Sequence, residues 1–203
     1  MPFDQHERLL QRLLPAVLAA GQLILQIRAG GLNVDTKSDQ SPVTEADRRS
    51  EALLIKALEV ALPGVPVVAE EASAGGTAPD ASDTFFLVDP LDGTRDYCAG
   101  GDDFTINIGL IENGRPVFGL IYAPALAELF VTPAPGRAAS ARLAVSGSPA
   151  ALSLTPIKVR RADPAALHAL LSRSESGPSH AARVAALGAK TATGKLVLSA
   201  AAA

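Results

Sequence analysis

The chain alternates between stretches of helical period and stretches of strand period. Near the N-terminus, Leu10, Leu13, Leu14, Val17, Gly21 and Ile24 recur at three- and four-residue steps, the spacing that lines one helix face. This predicts a long amphipathic helix over 4–28, ended by Gly30-Gly31. A second helix is predicted over 44–61, with Leu53, Leu54, Ala57, Leu58 and Ala61 on one face and Pro63-Gly64 as its stop. Between them, residues 32–43 are polar and turn-rich, a pattern expected for a mobile loop or loose hairpin.

After Gly64 the period shortens. Strands are predicted at Val65 to Ala69, Phe85 to Val88, Phe104 to Ile111, Val117 to Tyr122 and Ala127 to Val131. Glu112-Asn113-Gly114-Arg115 joins two of them as a tight hairpin, because Asn-Gly accepts the positive φ such turns require. Residues 133–156 are rich in Ala, Pro, Ser and Gly and are expected to form an irregular excursion. Ile157 to Arg160 then reads as a strand, and 164–172 as a helix capped by Asp163 with Pro164 at its first position. The organisation is therefore an N-terminal α+β part over 1–132, the excursion over 133–156, and the start of a C-terminal α/β part over 157–203.

Composition narrows the function. The 203 residues are 48% hydrophobic, ample for a core, and carry a net charge of −3 with a pI near 5.6. That balance argues against nucleic acid as a partner, since phosphate backbones call for a basic surface, but it leaves room for a small anionic ligand. Cys98 is the one cysteine, so no intrachain disulfide can form and a reducing compartment suits the chain. No signal-peptide pattern is read at the N-terminus, and no run is judged to reach the ~18 apolar residues that span a bilayer. The expectation is a cytoplasmic protein without a membrane span, with peripheral association with the inner membrane left open. His6, His168 and His180 are expected at the surface, and Cys98 as a packing residue.

The candidate chemistry is acidic. Asp47, the pair Glu70-Glu71, and the pair Asp89 and Asp92 each stand at the edge of an element. Asp89-Pro90-Leu91-Asp92-Gly93-Thr94 is the most specific stretch. An apolar strand delivers Asp89, Pro90 is expected to force a turn, and Asp92 returns to the same side, with Gly93 easing the backbone. Two carboxylates and the Leu91 carbonyl make an all-oxygen set suited to Mg²⁺. A helix beginning near Thr94 would point free N–H groups at a phosphate. Plainer readings stand beside these: Asp-Gly turns are ordinary, adjacent glutamates usually mark a solvated strand end, and Thr44 with Asp47 makes a capping box.

Ser41-Pro42-Val43-Thr44-Glu45-Ala46-Asp47, Glu70-Glu71 and Asp89-Pro90-Leu91-Asp92-Gly93-Thr94 together resemble the inositol monophosphatase superfamily in order and spacing. The segment Asp102-Asp103-Phe104-Thr105-Ile106-Asn107-Ile108-Gly109-Leu110-Ile111-Glu112 is similar to its 3′(2′),5′-bisphosphate nucleotidase branch. The resemblance implies a layered α/β (α+β) fold of the αβαβα sandwich type and Mg²⁺-dependent removal of the 3′-phosphate of 3′-phosphoadenosine 5′-phosphate, yielding AMP. It implies Glu70, Asp89, Asp92 and the Leu91 carbonyl as metal ligands, with Glu70 also counted in the catalytic set. Asp47 and Thr94 would orient the attacking water, and the Gly93 and Thr94 N–H groups would hold the phosphate. Glu71 and Lys37 would act from just outside the ligands. A homodimer, inhibition by Li⁺ and a role in sulfur metabolism are further implications. The same chemistry in an inositol-1-monophosphatase or sugar phosphatase is the alternative.

One family element has no counterpart. A Trp-Asp-x-Ala-Ala type segment near the C-terminus supplies another metal-binding Asp, but this chain has no Trp and its last Asp is Asp163. The expectation is a sandwich whose second half is incomplete, and a catalytically impaired remnant is the third reading.

Overall fold

The computed structural model describes residues 3–31, 34–36, 42–74, 83–159, 161, 168–170 and 190–192. The chain forms two compact units, one built on Met1–Ile157 and the other on Lys158–Ser199.

In the first unit, helix α1 spans Phe3–Gly30 and helix α2 spans Glu45–Ala61. Between them, β1 (Val34–Thr36) and β2 (Pro42–Thr44) pair antiparallel, so the expected hairpin is present. Strand β3 (Val67–Ala69) and the short helix α3 (Glu70–Ala74) lead to β4 (Thr84–Asp92) and helix α4 (Thr94–Cys98). The meander β5 (Thr105–Glu112), β6 (Arg115–Ala123), β7 (Glu128–Ala134), β8 (Arg137–Arg142) and β9 (Thr155–Ile157) follows. Seven strands form one sheet in the order β3-β4-β5-β6-β7-β8-β9. β3 runs parallel to β4, and every later neighbour is antiparallel.

Helix α1 packs on α2 and on β6 and β7, and α2 packs on β3 and β4. The stripe read from the sequence is the buried one: Leu10, Leu13, Leu14, Val17 and Ile24 meet Leu54 and Leu58 of α2 and the sheet residues Phe86, Ile106, Phe118 and Leu120. Burying one such side chain contributes about 1.5–3 kcal/mol. The strands alternate accordingly: Phe86 and Val88 of β4 are buried while Leu87 between them is 44% exposed. This is the layered α/β architecture expected. At the β5–β6 turn Asn113 and Gly114 have φ of 52° and 72°, the two left-handed residues that an Asn-Gly hairpin needs.

Several expectations require correction. Residues 133–156 are not an irregular excursion: β7 continues to Ala134, β8 occupies 137–142, and a 3-10 turn at Pro149–Ala151 precedes β9. The Ala-rich run hid a strand because its inward residues are small; Ala139 is buried although it carries little apolar signal. The strand expected at Ile157 to Arg160 is not found: β9 covers Thr155–Ile157 and meets that range at Ile157 alone, Lys158 and Val159 belong to no strand, and Arg160 lies outside the described residues. Within the helix expected over 164–172, residues His168–Leu170 are a strand, β10, paired in parallel with β11 (Lys190–Ala192) in the second unit; the other positions lie outside the described residues. Asp89 to Asp92 do not leave the sheet in a turn, since β4 continues through them.

His6 is 1% exposed, not at the surface, and its Nε2 donates to the Val117 carbonyl at 2.8 Å. It falls on the same helical stripe as Leu10, Leu13 and Leu14. Gln5–Gly30 is, by length and composition, long and apolar enough to cross a membrane, although polar residues interrupt its apolar runs. Here that helix lays its apolar stripe on α2 and the sheet, as a core helix does.

Candidate active site

The site is assembled where β4 ends and where α2, α3 and α4 begin. Asp89 and Asp92 lie three residues apart in one strand, which in a regular strand would set them on opposite faces. The ladder pairs Asp89 with Asn107 and Asp92 with Thr105, shifting register between them. Two residues on β4, Pro90 and Leu91, thus oppose one on β5, Ile106, a bulge that re-aims one side chain and brings both carboxylates to the same side. Pro90 suits this irregular position because it has no N–H to lose from the ladder.

At the end of the strand Gly93 has φ of 91° and precedes the first turn of α4, where Tyr97 N–H donates to the Gly93 carbonyl at 3.0 Å. A Cβ added to Gly93 would lie 2.7 Å from the Asp103 carbonyl oxygen. Backbone strain and steric room both demand glycine. The N-cap Gly93 provides no side-chain cap for α4.

Asp47 enters from α2. Thr44 is the N-cap: its Oγ1 accepts from Ala46 N–H at 3.1 Å, while the Thr44 N–H and hydroxyl donate to Asp47 Oδ2 at 2.7 and 2.6 Å. The capping box read from the sequence is therefore present. Asp47 is only 2% exposed, and its other oxygen, Oδ1, lies 3.1 Å from the Thr94 hydroxyl, which is also 2.9 Å from the Leu91 carbonyl. One hydroxyl proton is shared between two acceptors, so Asp47, Thr94 and Leu91 form a single node joining α2, α4 and β4.

Glu70 opens α3. It hydrogen-bonds the Asp89 carboxyl, which is pushed up to about 8, first by burial, then by the negative charges of Glu70 and Asp92. Leu91 N–H donates to Asp89 Oδ1 at 3.1 Å and offsets part of this. The start of α3 is held by Glu51 of α2, buried at 6% exposure, whose two carboxylate oxygens accept from Glu71 N–H at 2.8 Å and Ala72 N–H at 3.0 Å. Burial raises the Glu51 carboxyl, and those two donors lower it.

Beneath α4, the Tyr97 hydroxyl donates to the Ile24 carbonyl of α1 at 2.9 Å, and burial pushes that phenol up to about 12. Arg28 donates to the Gly101 carbonyl at 2.6 Å and to Asp102 at 3.1 Å, with its guanidinium 5.0 Å from the Phe104 ring. Cys98 packs against the core, and burial raises its thiol, so it stays a poor nucleophile.

Of the residues singled out by sequence, the structure joins Asp47, Leu91 and Thr94 directly, and couples Glu70, Asp89 and Asp92. Gly93 sits between the two groups. Glu71 contributes its N–H to Glu51, and Lys37 lies outside the described residues. Asn107, Glu51, Arg28 and Tyr97 were missed. Among the described residues no group of three or more His, Cys, Asp or Glu is arranged to hold a metal. The donor chemistry nevertheless fits a hard cation: all candidate donors are oxygens, and burial together with the charges of Glu70 and Asp92 raises the Asp89 carboxyl, a crowding of negative charge that a divalent ion would relieve.

A helix pair on a mixed sheet, with an acidic cluster at a bulged strand end, defines a class of layered α/β proteins built around anionic chemistry. The family model described as the inositol monophosphatase family matches residues 5–202, and the chain belongs to that family. It is 37% identical over 113 residues to the 3′(2′),5′-bisphosphate nucleotidase CysQ of Escherichia coli K12, covering 55% of this chain and 46% of that protein. It is 32% identical over 120 residues to a putative Nus factor SuhB of Neisseria meningitidis, covering 57% of this chain and 44% of that protein. The chain thus spans about half the length of the curated relatives it matches. The crystal structure of CysQ from Bacteroides thetaiotaomicron, a bacterial member of the same family, superposes with a TM-score of 0.64 at 27% identity, covering 89% of this chain and 70% of that one.

Proposed function

We propose that the chain is a Mg²⁺-dependent phosphomonoesterase that releases the 3′-phosphate of 3′-phosphoadenosine 5′-phosphate, giving AMP, in the cytoplasm. The observation that carries this reading is the Thr94 hydroxyl held on buried Asp47 at 3.1 Å, beside the Asp89 carboxyl, which burial and the neighbouring charges of Glu70 and Asp92 push up. The likeness to bisphosphate nucleotidases named CysQ supports the choice of substrate.

Glu70, Asp89, Asp92 and the Leu91 carbonyl would hold Mg²⁺, which when bound supplies charge neutralisation of the phosphate and a lowered pKa for the attacking water. Asp47 accepts a proton through Thr94: the hydroxyl donates to Oδ1 and turns its lone pairs outward, where they accept from a water and orient it. Thr44 keeps Asp47 in place by occupying Oδ2. The N–H groups of Gly93 and Thr94, at an α4 start with no side-chain cap, would hold the phosphate. Glu71 steadies α3, and Lys37 is assigned to the surrounding water network. A second copy completing a homodimer and inhibition by Li⁺ belong to the same reading.

The test is phosphate release from 3′-phosphoadenosine 5′-phosphate and from inositol 1-phosphate, with and without Mg²⁺. Mg²⁺-dependent release favouring the nucleotide, lowered about 10²–10⁴-fold by Asp47→Asn and abolished by Asp92→Asn, is expected. Preference for inositol 1-phosphate would move the reading to an inositol monophosphatase, a choice that the SuhB likeness keeps in view. No release from folded protein would leave a non-catalytic family member.

A further inference from the structure

Asn107 sits on β5 directly opposite Asp89, one position along the same face from Thr105, which pairs with Asp92. Its Nδ2 is 3.1 Å from Asp92 Oδ2, and its Oδ1 is 3.0 Å from the Thr105 hydroxyl. The orientation of this amide is decided by its neighbours. The NH₂ end donates to Asp92 Oδ2, and the carbonyl end, which can only accept, takes the Thr105 proton. The three side chains make a one-way relay, from Thr105 to Asn107 to Asp92.

We propose that Asn107 is a positioning residue for the cation site: by occupying Asp92 Oδ2, it fixes the carboxylate plane and presents Oδ1 to the metal. The inference rests on the function proposed above. Asn is the residue type the place calls for. Asp89, Glu70 and Asp92 already repel one another, so a second acceptor here would worsen the cluster, whereas a neutral amide adds a donor without adding charge. Thr105 acts one step further back, locking the amide so that it does not turn its carbonyl toward Asp92.

The test is calorimetric titration of the full chain with Mg²⁺, for wild type, Asn107→Ala and Thr105→Val, alongside thermal unfolding of the metal-free proteins. Partners that hold a metal ligand in place are each worth about 10–100-fold in metal affinity. Asn107→Ala is expected to weaken Mg²⁺ binding by that factor. It should raise the Mg²⁺ needed for half-maximal phosphate release in parallel, with kcat at saturating Mg²⁺ close to wild type and the metal-free unfolding midpoint unchanged. Thr105→Val is expected to weaken binding in the same direction by less, and carries the test by itself if Asn107→Ala does not fold. Unchanged Mg²⁺ affinity in both variants overturns the inference alone, as does a loss confined to kcat. A wild-type chain that binds no Mg²⁺ overturns the proposed function, and this inference with it.

Discussion

Asp89 shows how far one carboxyl is moved by its surroundings. In an unfolded chain it would ionise near 3.8, whereas in the fold it does so at about 8, because burial and the charges of Glu70 and Asp92 disfavour the anion. Between those values the folded protein keeps a proton that the unfolded chain has released. The stabilisation is therefore complete at the acid end and is lost as pH rises through the window. Urea unfolding of the metal-free protein, followed from about pH 5 to about pH 8, is expected to show falling stability, with a clearly shallower fall in Asp89→Asn. Equal slopes in the two proteins would show that another group sets the dependence. The acids themselves were legible in the sequence, because strand ends and Asp-Gly turns mark them out. Asn107 was not: an amide on an alternating strand looks like any outward polar residue, and its partner Asp92 is 15 residues away on the neighbouring strand.

Between elements, the junction of α2 and α3 carries the most consequence. α3 has five residues, far too few to persist as a helix by itself. Glu51 supplies what it lacks by accepting from two of its leading N–H groups. Hydrogen bonds to a charged group are worth about 1.5–3 kcal/mol. Glu51→Ala is expected to cost that much in global unfolding, and to speed hydrogen exchange at the Glu71 and Ala72 amides more than at α2 core amides. Uniform exchange across both helices would count against a local cap. The periodic helices and the Asn-Gly hairpin were readable because each rests on local chemistry. β8 was not, since Arg137–Arg142 holds mostly Ala, Ser and Arg and is a strand through its pairing with β7 and β9. The bulge in β4 escaped for a related reason: Pro90 announces an interruption but not its kind.

Across the whole first unit, the sheet was legible strand by strand from β3 to β7, and the helix pair from its stripes, whereas the way α1 reaches the site was hidden. Its ties to the rest of the fold cross long stretches of chain: Tyr97 to Ile24 spans 73 residues, and His6 to Val117 spans 111. The meander is the opposite, with each strand from β4 to β9 beside its sequence neighbour. That contrast sets an order of assembly. Short loops close at small entropic cost, and long ones must wait for partners to exist. In stopped-flow measurements, Ile108→Val in β5 is expected mainly to slow folding, and Leu13→Ala in α1 mainly to speed unfolding; the reverse pattern would mean that α1 nucleates the sheet. If the meander forms first, the node joining Asp47 to Thr94 closes late, after the strand that bears Asp89 and Asp92 is already in register, and the carboxylates meet only when α2 docks.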